Sequence, residues 1–428
     1  MSFDDCAKNH ILLICTVGGS HEPLVASIKQ WSPARILFLP SKETALQIKE
    51  KILPLATLEG NEIGPGCYET YPVPDAQDFH SCVHHIQELT EAVQKWVSRG
   101  DNYKVVVDFT GGTKCMTAAL SLQAHRWPCL FSYVGGTERT KDGVGIVVSG
   151  KENIVHYENP WDSLGYLAVE DALPLFDRGS YAAAAKGLQA ALLRVSDPTV
   201  KRQLVTLSKL AEAYAAWDRF DHRKARDLLG EVEKSANDLL AMFSRHRFMD
   251  LVDRIKKQRE HLAALTDAQG PSPELIRDLI ANARRRAEEG RYDDAVARIY
   301  RAIEALAQLR LRTEHGVQDT GKVPLQSVPG SLQDQFTVRA SNGTVKLGLQ
   351  DCYAMLGVLG DPMGRRFSGL RWDDPEHSPL AVRNQSILAH GFQPVGPDVF
   401  SKLWQGCLEL AGVKQEELLS LPKLGRVE

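Results

Sequence analysis

At Tyr157 the chain changes its hydrophobic period, and that change limits the possible folds more than any other feature. Before it, short apolar runs alternate with helical stretches. ILLICTV (11–17), ARILFLP (34–40), CYETYPV (67–73), KVVVDF (104–109), CLFSYV (129–134) and VGIVVS (144–149) read as strands. Ser41 caps a helix running through Lys51, residues 78–98 form a long helix, and another runs from β-strand 104–109 to about His125. Such alternation predicts an α/β domain with a mainly parallel, Rossmann-like sheet covered on both faces, closed by a hairpin edge around Lys141-Asp142-Gly143.

After Tyr157 the pattern is helical. FDRGSYAAA (176–184), WDRFDHRKA (217–225) and AEEGRYDDA (287–295) each end one helix, turn, and start the next. Their unequal spacing predicts helical hairpins rather than a solenoid of fixed period. TDAQGPSPE (266–274) is a Gly/Pro hinge. The expected domains are therefore an α/β domain over 1–157, an all-α connector over 158–270 and an all-α domain over 271–428, the last with a long irregular insertion at 313–348. A chain of 428 residues is long enough for several such cores.

Composition excludes some classes. No apolar run approaches the ~20 residues needed to cross a bilayer, and the acidic, polar start MSFDDCAKNH is not a secretory signal. The eight cysteines form no C-x-x-C pair or zinc site; Cys15, Cys115 and Cys129 read as buried free thiols, which suits a reducing cytoplasm. The net charge of −3 does not announce a nucleic-acid binder. Locally, however, Arg284, Arg285, Arg286, Arg291, Arg298, Arg301, Arg310 and Arg312 make one helical region basic, and Arg365, Arg366 and Arg371 form a second cluster. Runs of this kind are solvated helix faces unless a neighbouring site handles phosphate.

One phrase occurs three times at the carboxyl ends of strands: Thr16-Val17-Gly18-Gly19-Ser20, Phe109-Thr110-Gly111-Gly112-Thr113 and Tyr133-Val134-Gly135-Gly136-Thr137. In a parallel sheet these three loops share one rim. Glycines admit close backbone approach, helix starts favour anions, and Ser20, Thr113, Thr137 and Lys114 add donors and a positive charge. The pattern is open to two readings, turn glycines or a seat for a phosphate-bearing ligand. It is neither a dinucleotide fingerprint nor a P-loop. In RNQSILAHG (383–391), Arg383 and His390 stand seven apart, which on a helix returns them to one face ~10 Å apart, with Asn384 beside Arg383 and Gly391 as terminator. An arginine can neutralise a phosphate in reaction, and a histidine can carry a proton near neutral pH. The pair alone is common.

Both halves resemble parts of one family. ICTVGGSHEP (14–23) and VVDFTGGTKCMTAAL (106–120) resemble CARF domains, and RNQSILAHG resembles the R-x4-6-H signature of HEPN ribonucleases. EGRYDDAVARIYRAIEALAQLRL (289–311) resembles the companion HEPN helix, placing Arg298, Arg301 and Glu304 near the RNA site. The resemblance, to type III CRISPR-associated CARF–HEPN proteins, implies a cyclic-oligoadenylate-activated endoribonuclease of antiviral defence. It would work as a cytoplasmic homodimer with no membrane contact, cutting single-stranded RNA without metal and leaving 2′,3′-cyclic phosphates. It implies Arg383, Asn384 and His390 as catalytic residues, and Thr16, Gly18, Gly19, Ser20, Thr110, Gly111, Gly112, Thr113, Lys114, Gly135, Gly136 and Thr137 as the ligand rim. No cofactor is expected, and cyclic tetra-adenylate is favoured over the hexa-adenylate as activator. Thr16, Ser20 and Thr113 could also position a 2′-hydroxyl for cleavage of the activator. The alternatives are a CARF-gated adaptor or a DNA nuclease; the second needs an acidic metal motif on a strand, which the second half lacks.

Overall fold

The computed structural model describes residues 10–56, 63–97, 103–136, 138, 151–163, 165–267, 270–372 and 378–425. The chain divides into two compact units, residues 1–167 with 191–201, and residues 168–190 with 202–428.

The first unit is a six-stranded sheet in the order β3-β2-β1-β4-β5-β6. Its strands are β1 (Ile11–Val17), β2 (Arg35–Pro40), β3 (Tyr68–Thr70), β4 (Lys104–Asp108), β5 (Cys129–Gly136) and β6 (Glu152–Glu158). The first five are parallel and β6 pairs antiparallel with β5. Strands β1, β2 and β4 are nearly continuous runs of buried residues because helices cover both faces. Helix α1 (Glu22–Trp31) packs one side, together with α2 (Ala45–Gln47), a π turn at 48–52 and α3 (Leu53–Leu55). Helices α4 (Phe79–Val97) and α5 (Lys114–Gln123) pack the other, and α6 (Pro160–Ser163) follows β6. The expected Rossmann-like α/β class is therefore the observed one. The expected strand at 144–149 and its hairpin lie outside the described residues. Cys15, Cys115 and Cys129 are free thiols, the last two only half-buried. Cys67 is disulfide-bonded, which the expectation of free thiols did not include.

The second unit is helical. Helices α7 (Tyr166–Asp177), α8 (Tyr181–Leu192), α9 (Pro198–Asp218), α10 (His222–Ser235) and α11 (Arg245–Asp267) precede α12 (Pro273–Glu288) and α13 (Tyr292–His315). The three similar segments are three equivalent turns. Gly179, Phe220 and Gly290 occupy the same place in each and all have positive φ. The following amide returns to a carbonyl five residues back in every case: Ser180 to Leu175 at 2.8 Å, Asp221 to Ala216 at 2.9 Å, Arg291 to Arg286 at 2.9 Å. Phe220 takes without glycine a conformation that glycine adopts more cheaply.

The stretch 313–348, expected to be irregular, is ordered and packed. It holds a two-stranded ribbon, β7 (Val323–Pro324) with β8 (Thr344–Val345), and helix α14 (Gly330–Thr337). Asn342 and Gly343, both at positive φ, make the tight turn next to β8. Val317, Val323, Val328, Phe336, Val345 and Leu347 are buried in the same core as α13. That core is completed by α15 (Leu349–Val358), α16 (Pro362–Gly369), α17 (Pro379–Asn384) and α18 (Pro397–Ala411). The chain then runs back along α11, where the amides of Leu424 and Gly425 donate to the two carboxylate oxygens of Asp177 at 2.6 and 2.8 Å. No helix among the described residues is long and apolar enough to cross a membrane.

Asp361 caps α16 and receives hydrogen bonds from the Met363 amide (2.8 Å), Arg310 Nε (2.8 Å) and His315 Nε2 (3.0 Å). Burial pushes its carboxyl up, but these donors outweigh burial and hold it below the usual aspartate value. A depressed folded-state value stabilises the fold above the unfolded aspartate value, about 3.9, and the contribution is lost as pH falls through the lower folded value. Asp361→Ala should cost about 2 kcal/mol at neutral pH by removing a cap and leaving Arg310 Nε and His315 Nε2 without this partner. Thermal melts across pH 2–7 (approximately the carboxylate range) should show the difference from the parent shrinking toward the acid end.

Candidate functional site

At the carboxyl ends of the parallel strands, the loops after β1 and β4 meet. β1 continues to β2 on one side, whereas β4 continues to β5 on the other, so this is the point where strand order reverses and ligands of such sheets sit. The glycines there serve loop against loop. A Cβ on Gly18 would lie 2.7 Å from the Gly112 nitrogen, one on Gly111 would lie 2.6 Å from the Thr16 carbonyl, and Gly112 has φ of +85°. Thr16 is fully buried, and its hydroxyl donates to the Gly111 carbonyl at 2.5 Å. The Thr110 hydroxyl accepts from the Val134 amide at 2.7 Å. Thr113 caps α5, accepting from the Met116 amide at 3.2 Å and donating to the Ala76 carbonyl. These three hydroxyls are thus engaged within the protein. Gly19, Ser20 and Lys114 are differently placed: Gly19 faces open space, Ser20 is half-buried, and Lys114 is exposed as the first residue of α5.

The third glycine pair is not a loop. Gly135 and Gly136 continue β5 and pair with Asn153 and Glu152 of β6, because an antiparallel neighbour supplies the partners that keep the strand extended. Thr137 lies outside the described residues. Sequence reasoning missed Asp108, the anchor of the rim. It is fully buried at the end of β4 and accepts from Ser27 Oγ (2.6 Å), Ser132 Oγ (3.0 Å) and the Thr110 amide (3.0 Å). Burial raises its carboxyl, and those hydrogen bonds oppose the rise. The signal available was a lone acid ending the apolar run VVV.

In the second unit, Arg383 and His390 do not share one helix, contrary to the periodicity argument. Helix α17 ends at Asn384, with Arg383 in its last turn. The chain then folds back. The Ser386 amide donates to the Arg383 carbonyl (3.0 Å), the His390 amide to the Asn384 carbonyl (3.1 Å) and the Gln393 amide to the Gln385 carbonyl (3.0 Å). Gly391 does not terminate a helix; it passes so close to Gln385 that a Cβ would overlap the Gln385 carbonyl. Ser386 is buried while Ile387 and Leu388 are exposed, the reverse of what an amphipathic helix would require. The loop brings the backbone of His390 onto Asn384, the residue after Arg383, by closure rather than by helical repeat. Asn384 and His390 are exposed. Arg383 is half-buried; its Nη1 donates to Asn384 Oδ1 at 3.1 Å and its guanidinium lies over the Tyr300 ring, 4.1 Å from the centroid.

Of the three supporting residues on α13, Arg301 bonds Glu304 Oε2 (3.0 Å) and Gln308 Oε1 (2.9 Å) on the side of the helix near Tyr300. Arg298 is not brought to them. It is tied to Asp294 and to Asn282 Oδ1, in a buried polar network where Asn282, Arg285 and Arg286 all bond Asp218. Arg284, Arg291 and Arg310 are likewise ion-paired. Among the described residues no group of His, Cys, Asp and Glu is arranged to hold a metal ion.

Residues 265–414 match the model of the Csm6 HEPN domain and residues 164–262 that of the Csm6 6H domain, together more than half of the chain. The chain belongs to the Csm6 family. It is a type III CRISPR protein of CARF–HEPN architecture. Among solved structures it is similar to Enterococcus italicus Csm6 bound to cyclic hexa-2′-fluoro-hexa-dAMP, with a TM-score of 0.55 and 10% identity over 95% of this chain and 96% of that one. At that identity the likeness is one of fold. No curated protein sequence matches the chain.

The glycine geometry separates Gly18 from Gly19. Gly18→Ala should lower the stability of the first unit by about 1–3 kcal/mol through overpacking. Gly19→Ala should change it by less than about 0.5 kcal/mol. Chemical denaturation of the two variants checks this, and equal effects would contradict the loop-to-loop contact.

Proposed function

We propose that this Csm6-family protein is a cyclic-oligoadenylate-activated, metal-independent endoribonuclease acting on single-stranded RNA in type III CRISPR defence. The observation that carries the reading is the Arg383-Asn384 end of α17 with the His390 amide closed onto it, inside a segment matching a Csm6 HEPN domain. Arg383 neutralises the charge that builds on the scissile phosphodiester. His390 moves the proton: the ribose 2′-hydroxyl attacks the adjacent phosphorus, the bond to the 5′-oxygen breaks, and that oxygen leaves protonated. The products are a 2′,3′-cyclic phosphate and a 5′-hydroxyl. Asn384 orients Arg383 through its side-chain oxygen, and Arg301 with Glu304 borders the RNA path.

The activator sits on the rim at the strand-order reversal. Gly18, Gly111 and Gly112 bring the two loops together there, leaving Gly19, Ser20 and Lys114 to meet it, with Thr16, Thr110 and Thr113 fixing the loops. Gly135, Gly136 and Thr137 border the ring. The likeness to a relative bound to a cyclic hexa-adenylate analogue supports a cyclic oligoadenylate as ligand. The tetra-adenylate is our choice of ring, and the hexamer is the other arm of the titration. The function divides over residues 1–157 as sensor, 158–270 as connector and 271–428 as nuclease, in a cytoplasmic homodimer. One chain offers a single Arg383 and a single His390, and two copies about a two-fold axis supply two of each around one groove.

His390→Ala should abolish cleavage of labelled single-stranded RNA while leaving the melting curve and activator binding unchanged. Wild-type cleavage should persist in EDTA. Lys114→Ala should weaken activator binding by about 10- to 100-fold, the worth of one charge-assisted phosphate contact. Sedimentation should give about twice 47.4 kDa. Retained cleavage by His390→Ala, or loss in EDTA, overturns the nuclease reading; undiminished binding by Lys114→Ala overturns the rim as the activator site.

A further inference from the structure

Arg383 differs from the ion-paired arginines of the α12–α13 hairpin. Arg284, Arg285, Arg286, Arg291, Arg298 and Arg301 each bond a carboxylate. Arg383 has no carboxylate partner among the described residues. Its contacts are the neutral Asn384 Oδ1 and the face of Tyr300, while its Nε is buried without a hydrogen-bond partner. A carboxylate would have cancelled the charge and competed with a phosphate for the guanidinium. An aromatic face holds the guanidinium plane by its quadrupole and leaves the edge donors available.

We propose that Tyr300 is a positioning residue of the nuclease site, its ring being the platform on which Arg383 lies with its charge uncancelled. The proposal rests on the reading of Arg383 as the phosphate-neutralising group. Tyr300 is suited to the role by its place. It is half-buried on α13, the central helix of the core, and α13 packs directly against α17, so platform and guanidinium ride on two touching helices. Burial raises the phenol of Tyr300 above its ordinary value; Arg383 opposes the rise, and Glu304 adds a smaller push upward. The phenol therefore stays neutral at neutral pH and does not become a phenolate that would pair with the arginine. The ring, rather than the hydroxyl, is what the geometry uses.

The test uses full-length protein with saturating cyclic oligoadenylate and a single-stranded RNA substrate. kcat and KM are measured for wild type, Tyr300→Phe, Tyr300→Leu and Arg383→Ala, alongside melting curves and activator binding. Tyr300→Phe, which keeps the platform, should stay within about twofold of wild type. Tyr300→Leu should lose roughly tenfold or more in kcat with a small change in KM, because the charge is misplaced where the transition state needs it. Melting and activator binding should hold. If Tyr300→Leu fails to fold, Tyr300→Gln, suited to a half-buried helix position, serves as the ring-less variant. Full activity of a folded ring-less variant while Arg383→Ala is dead overturns this inference alone. A loss in Tyr300→Phe equal to that in the ring-less variant also overturns it, since the hydroxyl would then be the working group. Full activity of Arg383→Ala instead overturns the nuclease reading on which the inference rests.

Discussion

The burial of α13 is the constraint on which the helical unit depends. Val296, Ile299, Ile303, Leu306 and Leu311 are inside the core, and the Ile303 carbonyl accepts from the buried Tyr353 hydroxyl at 2.9 Å. Helices α12, α15, α17 and α18 are assembled around this one element. A helix buried on so much of its surface keeps only a narrow strip for other purposes, and Tyr300, Arg301 and Glu304 occupy it. The strip is fixed in height and rotation by the core, so whatever α17 lays against it inherits that rigidity.

The sheet unit solves a comparable problem with polar groups. Asp108 is a carboxyl held out of water by two serine hydroxyls and an amide, at the place where β4 gives way to its loop. A buried acid in that position costs stability unless every lone pair has a donor. Its donors come from α1, β5 and the loop itself, so satisfying the carboxyl also fixes the three elements that border the rim. The threonines do the same on a smaller scale, spending their hydroxyls on carbonyls and amides nearby.

Much of this was legible in the sequence. The period change at Tyr157, the five parallel strands and the three hairpin turns follow from local patterns that tertiary contacts reinforce. The register of Gly179, Phe220 and Gly290 was visible because the flanking residues repeat. The path of RNQSILAHG was not. Seven-residue spacing is compatible with a helix, but the approach of Gly391 to Gln385 and the burial of Ser386 depend on neighbours that spacing does not encode. The same holds for the arginines. A basic run reads as a patch until Asp218, some 67 residues away in sequence from Arg285, is seen to hold its guanidinium. The packed stretch 313–348 carried a cue in Asn342-Gly343, a hairpin turn signal that was easy to lose among its other glycines and prolines.

The return of Leu424 and Gly425 to Asp177 has a consequence for synthesis on the ribosome. That carboxylate waits for amides 247 residues downstream, which at ~5–20 residues per second is roughly 12–50 seconds of translation. During that time α7 has emerged without the strap that later ties it to Leu424 and Gly425. The helical unit therefore acquires this fastening only after Leu424 and Gly425 have been made, so a translation product truncated before them lacks it.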